Sequence, residues 1–367
     1  MTLAAVDCHM VGQRAAGDAG NGRYAATMVA AMAETAGDTD TVGALVATAA
    51  GRTQLAALTA AVASVPGPGV PRLVRAASRV LTDMGAEAAV FTYVAPRHAP
   101  CPVLLAIHDA TFITNPEWLW RRSRTLRRFM VGHSARSARA VLVLSQTARD
   151  DVAAALELDP AMVRVVSPFA AACFHPDDTA AERVHARFGL RRYCLAVGDL
   201  GPRKNLVSLG AAMRRLGDPT LELALVGKPG HGGERIARDS GGRWLGHVGD
   251  TELADLYRAA AVTAYPSLYE GFGLPALEAM ACGSPVVASN RGALPEVAGG
   301  AAILVDPDPE SIAEGLRAAL EPAESDRLRR AGPLRATHYS ATSMGHAAWR
   351  AVHDVVGARV GPAVNGR

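Results

Sequence analysis

Lysine is nearly absent from this 367-residue chain: of its 38 basic residues only Lys204 and Lys228 are lysines, and arginine fills every other basic position. High-GC coding produces such a bias, so each lysine that persists is an unlikely draw for an incidental site. Cysteine is sparse as well. Cys8, Cys101, Cys173, Cys194 and Cys282 are scattered, odd in number and without a C-x-x-C pair. That argues against a disulfide scaffold or zinc site and for a reducing compartment. No charge of one sign dominates, and a net charge of +3 is too small to argue for nucleic acid. Long apolar runs are missing: the longest uncharged stretch, 53–71, carries three prolines and two glycines, which excludes a membrane-spanning helix there. The opening MTLAAVDCH enters a strand-like run with no basic segment and apolar leader ahead of it. The expectation is a cytoplasmic chain without a signal peptide. Neither H-E-x-x-H nor a G-x-S-x-G elbow occurs, so no zincin site or serine triad is expected.

What is present is alternation. Strand-like runs at 3–7, 42–48, 88–93, 103–107, 140–144 and 162–166 alternate with helical stretches at 21–33, 54–62, 72–84, 117–138 and 147–156. The pattern loosens over 167–192, restarts with strands at 193–198, 221–226, 261–265 and 303–305, and continues through helices at 309–320 and 325–336. A last helix, 343–355, carries Trp349 as an anchor. Alternation of this kind builds parallel sheets covered by helices, and the length suffices for two cores. The expected fold class is α/β with two doubly wound domains. They divide as 1–170, a linker at 171–192, 193–340, and a closing helix and tail at 341–367.

The most informative string is 265–283, YPSLYEGFGLPALEAMACG, which reads as strand, loop and helix. Gly271 and Gly273 let the backbone approach a ligand closely, and Pro275 suits a first helical turn. The free N–H groups of that turn favour an anion. Glu270 stands in the loop and Glu278 about one turn into the helix, with Phe272, Leu274 and Leu277 as a packing face. A diphosphate attached to a sugar fits this arrangement. Both lysines follow strands, where open α/β sheets bind ligands: Lys204 in Arg203-Lys204-Asn205, and Lys228 behind Gly227. An adjacent guanidinium fork and ammonium suit a diphosphate whose charge grows as a bond breaks.

Other candidates are weaker. Gly20 and Gly22 precede a helix; His108-Asp109 ends an apolar strand; Ser145-Gln146 closes another; Glu296 lies in GALPEVAGG. Ser145 reads equally as a helix N-cap, and Glu296 equally as structural. The segment 118–129, WLWRRSRTLRRF, interleaves aromatic residues with Arg121, Arg122, Arg124, Arg127 and Arg128. It is either a solvated helix face with snorkelling arginines or a seat on an anionic membrane or acceptor.

With E-x7-E at 270–278 and VGDLGPRKNL at 197–206, the chain closely resembles the family-4 retaining glycosyltransferases of the GT-B fold, the glycosyl transferases group 1. GRY at 22–24, HD at 108–109 and EGFGLP at 270–275 point to the mannosyltransferase-B-like branch. The resemblance covers nearly the whole chain and is strongest over 193–307. It implies two Rossmann-like domains facing a cleft, a C-terminal helix crossing back to the first, an acceptor domain and a donor domain. It also implies retaining, metal-free transfer of a sugar from a nucleotide-diphosphate donor, GDP-mannose-like favoured, to a hydroxyl of a glycan, lipid-linked or small-molecule acceptor. No cofactor is expected.

By the same resemblance Arg203 and Lys204 hold the diphosphate, and Gly20 and Gly22 approach its phosphates. Glu270 and the loop Gly271, Phe272, Gly273 and Leu274 hold the sugar, Glu278 the ribose hydroxyls, and His108 contacts the sugar. Ser145, Lys228 and Glu296 are further cleft candidates. Two departures stand out: Asn21 replaces an apolar residue, and Ser167-Pro168-Phe169 replaces the P-N-G-V-D turn, which touches the acceptor side alone. A GT-B nucleotide-sugar epimerase would want further acid and base residues at the sugar. A non-catalytic sugar-nucleotide-binding protein would lack Glu270, Arg203 or Lys204.

Overall fold

The computed structural model describes residues 2–12, 20–65, 69–118, 124–230 and 232–357. The chain forms two compact units. Unit 1 comprises Met1–Ile113, Ser123–Pro168 and Ala341–Arg367; unit 2 comprises Thr114–Arg122 and Phe169–Ser340.

Unit 1 is built on a seven-stranded parallel sheet of β1 (Thr2–Asp7), β2 (Asp40–Val46), β3 (Ala61–Ser64), β4 (Ala88–Thr92), β5 (Val103–Ala106), β6 (Ala140–Val143) and β7 (Val163–Val165). Their order is β3-β2-β1-β4-β5-β6-β7. The central strands are apolar on both faces (AAVFT, VLLA, AVLV) and almost wholly buried, as parallel strands sandwiched between helices must be. The helices are α1 (Gly20–Glu34), α2 (Ala49–Ala56), α3 (Gly69–Met84), α4 (Thr111–Thr114), α5 (Arg124–Ser137) and α6 (Gln146–Leu156). Strand order reverses between β1 and β4, which puts the loops after them at a topological switch point. There Tyr93 sits at φ +61°, a conformation few bulky residues adopt.

Unit 2 repeats the plan with α7 (Ala180–Phe188), β8 (Tyr193–Val197), α8 (Leu206–Leu216), β9 (Glu222–Val226), α9 (Gly233–Ser240), β10 (Arg243–Trp244) and α10 (Asp250–Ala259). It continues with β11 (Val262–Tyr265), α11 (Leu274–Ala281), β12 (Val286–Ser289), α12 (Leu294–Ala298), β13 (Ile303–Val305), α13 (Pro309–Leu320) and α14 (Pro322–Ala336). The parallel order is β10-β9-β8-β11-β12-β13, so the switch point lies between β8 and β11. Close approach there demands glycine: a Cβ on Gly227 would stand 2.0 Å from the Gly198 carbonyl oxygen. Leucine, isoleucine and valine side chains from α8, α13 and the strands fill the core beneath.

The last helix, α15 (Ala341–Gly357), returns to unit 1 and packs along α1, as expected for the closing helix. Buried Trp349 donates its indole N–H to the Met32 carbonyl at 2.9 Å, and Gly345 lies so near Ala31 that a Cβ would stand 2.3 Å from its carbonyl oxygen.

Three expected elements differ. The helix expected at 54–62 is α2 at 49–56 followed by β3 at 61–64. Alanine-rich AALTAAVAS favours helix locally, and pairing with β2 overrides it. The helix expected at 117–138 is instead a short 3-10 turn, Pro116–Trp118, and α5, with 119–123 outside the described residues. The stretch 171–192, expected as linker, contains α7, whose Arg183 grips Asp255 of α10 through Nε at 2.7 Å and Nη2 at 2.6 Å.

Candidate active site

In unit 2 the loops after β8 and β11 are stitched together before any side chain is counted. The 3-10 turn Pro202–Lys204 ends at Asn205, held at φ +56°. Its amide donates to the carbonyls of Pro266 at 3.2 Å and Pro307 at 2.7 Å. The Leu268 N–H donates to the Arg203 carbonyl at 2.8 Å. Arg203, Lys204 and Glu270 are thereby brought together at the switch point. Arg203 Nη1 donates to Glu270 Oε2 at 2.8 Å and to the Tyr269 carbonyl at 3.1 Å; Lys204 Nζ donates to Glu270 Oε1 at 2.7 Å. Lys204 Nζ also donates to the Tyr265 hydroxyl at 2.5 Å and lies 4.5 Å from the centre of that ring. Gly198 leaves room for the ammonium: a Cβ there would stand 2.7 Å from Lys204 Cε.

The electrostatics follow from burial. Burial alone would raise the Glu270 carboxyl, but Arg203 and Lys204 outweigh it and hold the pKa lowered to about 2. Burial draws the Lys204 ammonium below its ordinary range, with Glu270 opposing and Arg203 reinforcing the shift. Two cations thus share one carboxylate, leaving one positive charge at the carboxyl ends of β8 and β11 that favours an anion.

The glycine loop then enters α11. Gly273 adopts φ +98°, with Leu274 and Pro275 opening the helix and the Gly273 carbonyl accepting from Ala276 N at 2.9 Å. Phe272 is buried edge-on against Tyr339 at 5.1 Å. The Glu270 carbonyl accepts from Ala293 N at 2.9 Å, and Gly292 at φ +56° passes so close that a Cβ would meet that carbonyl at 2.5 Å. Glu278 lies inside α11, only 2% exposed, and accepts from the Tyr257 hydroxyl at 3.4 Å. Lys228 is partly buried after β9, its carbonyl accepting from Leu200 N at 2.9 Å. Glu296 sits in the first turn of α12, its carbonyl bonded by Arg335 at 2.7 Å.

In unit 1, His108 follows β5 and is 9% exposed. Its ring meets Tyr24 edge-on at 4.7 Å and Tyr93 at 5.6 Å. Nε2 is buried without a hydrogen-bond partner among the described residues. Burial lowers the pKa to about 4 against the pull of Asp109, so the ring is neutral at pH 7. Asp109 caps α4 by accepting from Thr111 N at 2.9 Å. Ser145 acts as the N-cap of α6, accepting from Ala148 N at 3.0 Å. Gly22 packs on Met10, with a built Cβ 3.3 Å from its carbonyl, while Gly20 opens α1 with no atom of the described residues within 4 Å of a built Cβ. Arg121 and Arg122 lie outside the described residues, as do the side chains of Arg124 and Arg127; Arg128, Leu126 and Phe129 are exposed on α5.

Sequence reasoning missed three features. Tyr265 reads as the end of a buried strand, yet its hydroxyl takes the Lys204 ammonium. Asp7, buried at the end of β1, holds His9 Nδ1 at 2.8 Å; the D-x-H spacing was the available signal. Two Asp-x-Asp strings, at 38–40 and 306–308, occur where none was expected: Asp40 meets His353 at 3.1 Å, Asp306 meets Arg291 at 3.0 Å, and Asp308 is the N-cap of α13. Among the described residues no three His, Cys, Asp or Glu side chains gather as a metal site. No described helix is long and apolar enough to cross a membrane.

Residues 191–322 match the family described as Glycosyl transferases group 1. The O-antigen chain mannosyltransferase B of Escherichia coli is 34% identical over 215 residues, covering 55% of this chain and 56% of that protein. The MMP alpha-(1->4)-mannosyltransferase of Mycolicibacterium hassiacum is 34% identical over 192 residues, 49% of this chain and 45% of that one. The chain thus spans about half the length of the curated relatives it matches. Among solved structures, a sucrose-phosphate synthase from Thermosynechococcus elongatus superposes with a TM-score of 0.76 at 20% identity, covering 98% of this chain and all of that one. Anabaena HepE in complex with UDP-glucose gives 0.73 at 16% identity, with 96% and 100% covered. These likenesses establish the fold.

Proposed function

We propose that this protein is a retaining glycosyltransferase that moves a sugar from a nucleoside-diphosphate donor to a hydroxyl acceptor without a metal; the match of residues 191–322 to the glycosyl transferases group 1 and the GT-B fold support the reading. The observation that carries the reading is the pair Arg203 and Lys204 closed on Glu270 at the β8–β11 switch point. Without donor, the carboxylate neutralises part of the basic charge. An arriving diphosphate competes for both cations and frees Glu270 for a sugar hydroxyl.

As the bond from the anomeric carbon to the diphosphate oxygen breaks, negative charge grows on that oxygen, and Arg203 and Lys204 stabilise it in a site shielded from water. The acceptor hydroxyl forms the new bond on the same face, and its proton passes to the departing phosphate. The carboxylate of Glu278 is assigned the ribose hydroxyls, and the amides from Phe272 to Leu274 the sugar and phosphate oxygens. Neutral His108 is assigned a hydrogen bond to a ligand hydroxyl. The mannosyltransferases among the relatives favour a mannosyl donor, and HepE with UDP-glucose supports a nucleotide-sugar. The acceptor is a glycan, a lipid-linked sugar or a small molecule. The reading places the enzyme in the cytoplasm, with exposed Arg128, Leu126 and Phe129 of α5 supporting contact with an anionic surface.

The test is sugar release and transfer from GDP-mannose, UDP-glucose and dTDP-glucose by the wild-type chain, Lys204→Met and Glu270→Gln. The wild type turns over at least one donor, and each variant loses about 10²-fold or more. Equal rates in all three proteins refute the assignment.

A further inference from the structure

Beside the edge strand of unit 1 lies a basic pocket that the proposed transfer does not use. Its volume is about 430 Å³, and its walls are the first turn of α6, strand β7 and one face of α15. Arg149, Arg164 and Arg350 line it together with Gln146 and one acid, Asp354. Three guanidinium groups against one carboxylate leave a charge of +2 within a single cavity. Asp354 meets Arg164 at 3.6 Å between Oδ2 and Nε, and Arg164 also donates to the Ala161 carbonyl.

Arg149 gives the pocket its direction. Its Nε is shut off from solvent and has no hydrogen-bond partner among the described residues, although its neighbours leave an open cavity. Arg149 as a whole is only partly buried and lines the pocket, so a turn of its side chain brings the unmade N–H bond to an oxygen-rich ligand there. Arginine forks match the tetrahedral oxygens of phosphate, and a +2 cavity matches a dianion better than a carboxylate. The start of α6 adds a favourable potential from the same side.

We propose that this pocket binds a phosphate dianion, carried either by a soluble phosphate monoester or by a lipid headgroup. Inorganic phosphate titrated into the full-length protein at pH 7.5 and fixed ionic strength is the probe, with acetate and chloride as controls. Phosphate binds measurably and acetate does not. Arg149→Gln with Arg350→Gln weakens phosphate about tenfold or more, and Arg350→Glu, on an exposed residue, does the same should the double variant fail to fold. Arg203→Gln with Lys204→Gln removes the proposed donor site and leaves this binding event in place, so the outcome does not depend on the transferase reading. Binding weakens as pH falls past about 6, where a phosphate ester takes up its proton.

Flotation with phosphatidic acid vesicles separates the sources. Co-flotation lost in Arg149→Gln with Arg350→Gln assigns the headgroup; phosphate binding without flotation assigns the soluble ester. Phosphate no better than acetate, or undiminished in Arg149→Gln with Arg350→Gln, or abolished with the donor pair, overturns the proposal.

Discussion

Glu270→Gln separates the two tasks proposed for this carboxylate because they move in opposite directions. The substitution keeps shape and removes one charge from a cluster in which Arg203 Nη1 and Lys204 Nζ stand 2.8 and 2.7 Å from the carboxylate oxygens. The carboxyl is held at about 2 against an ordinary 4.5, a gap that corresponds to at most about 3 kcal/mol of stability at neutral pH. Because the folded-state pKa is depressed, that stability is present in full above pH 4.5 and is lost as pH falls toward 2. The glutamine variant therefore melts below wild type at pH 7, and the difference narrows under acid. Nucleoside diphosphate affinity moves the other way. The entering phosphates no longer face a carboxylate between the two cations, and removing that repulsion is worth about 1.4 kcal/mol, or tenfold. Turnover still falls, since the sugar loses its charged partner. Calorimetric titration with GDP and UDP, beside thermal melting at acid values from about pH 2 up to neutral, reads all of this. A variant as stable as wild type that binds nucleoside diphosphates more weakly refutes the counter-ion role.

The other predictions concern backbone, proton and helix. Gly292→Ala places a Cβ 2.5 Å from the Glu270 carbonyl at φ +56° and lowers stability by about 1–3 kcal/mol; Gly300→Ala, at φ +86° with open space around it, costs about 1 kcal/mol by melting. His108, with its pKa lowered to about 4, shows an NMR titration midpoint near 4. Its neutral burial makes stability fall as pH drops from about 6.5 to 4, because the unfolded chain binds that proton first. Trp349→Ala removes a buried indole and its bond to Met32, costing about 3–5 kcal/mol by denaturation.

The strongest parts of the fold were legible because one principle governed them. The strands after 190 are short apolar runs set off by glycines, and β11, β13, α13 and the E-x7-E loop fall within a residue or so of expectation. Beyond them, tertiary pairing decided. β3 is an alanine-rich segment made extended by β2, and α7 is a helix in a stretch whose polar spacing reads as linker until Asp255 is placed opposite Arg183. At the site, residue types announced Arg203, Lys204 and Glu270, but not that they close on one another. That closure depends on Asn205 and Tyr265, whose partners lie some 60 residues or more along the chain.

The position of α15 sets an order of events during synthesis. The apolar face of α1 is covered by residues made only after all of unit 2, across a separation of 317 positions for the Trp349–Met32 bond. At about 5–20 residues per second, the interval between Pro168 and Ala341 amounts to roughly 10–30 s. Throughout it, unit 1 waits with an uncovered seam while the chain of unit 2 is completed. Nascent chains stalled in that interval are therefore natural clients for chaperones, and a stop codon near 340 would cripple the unit that was made first.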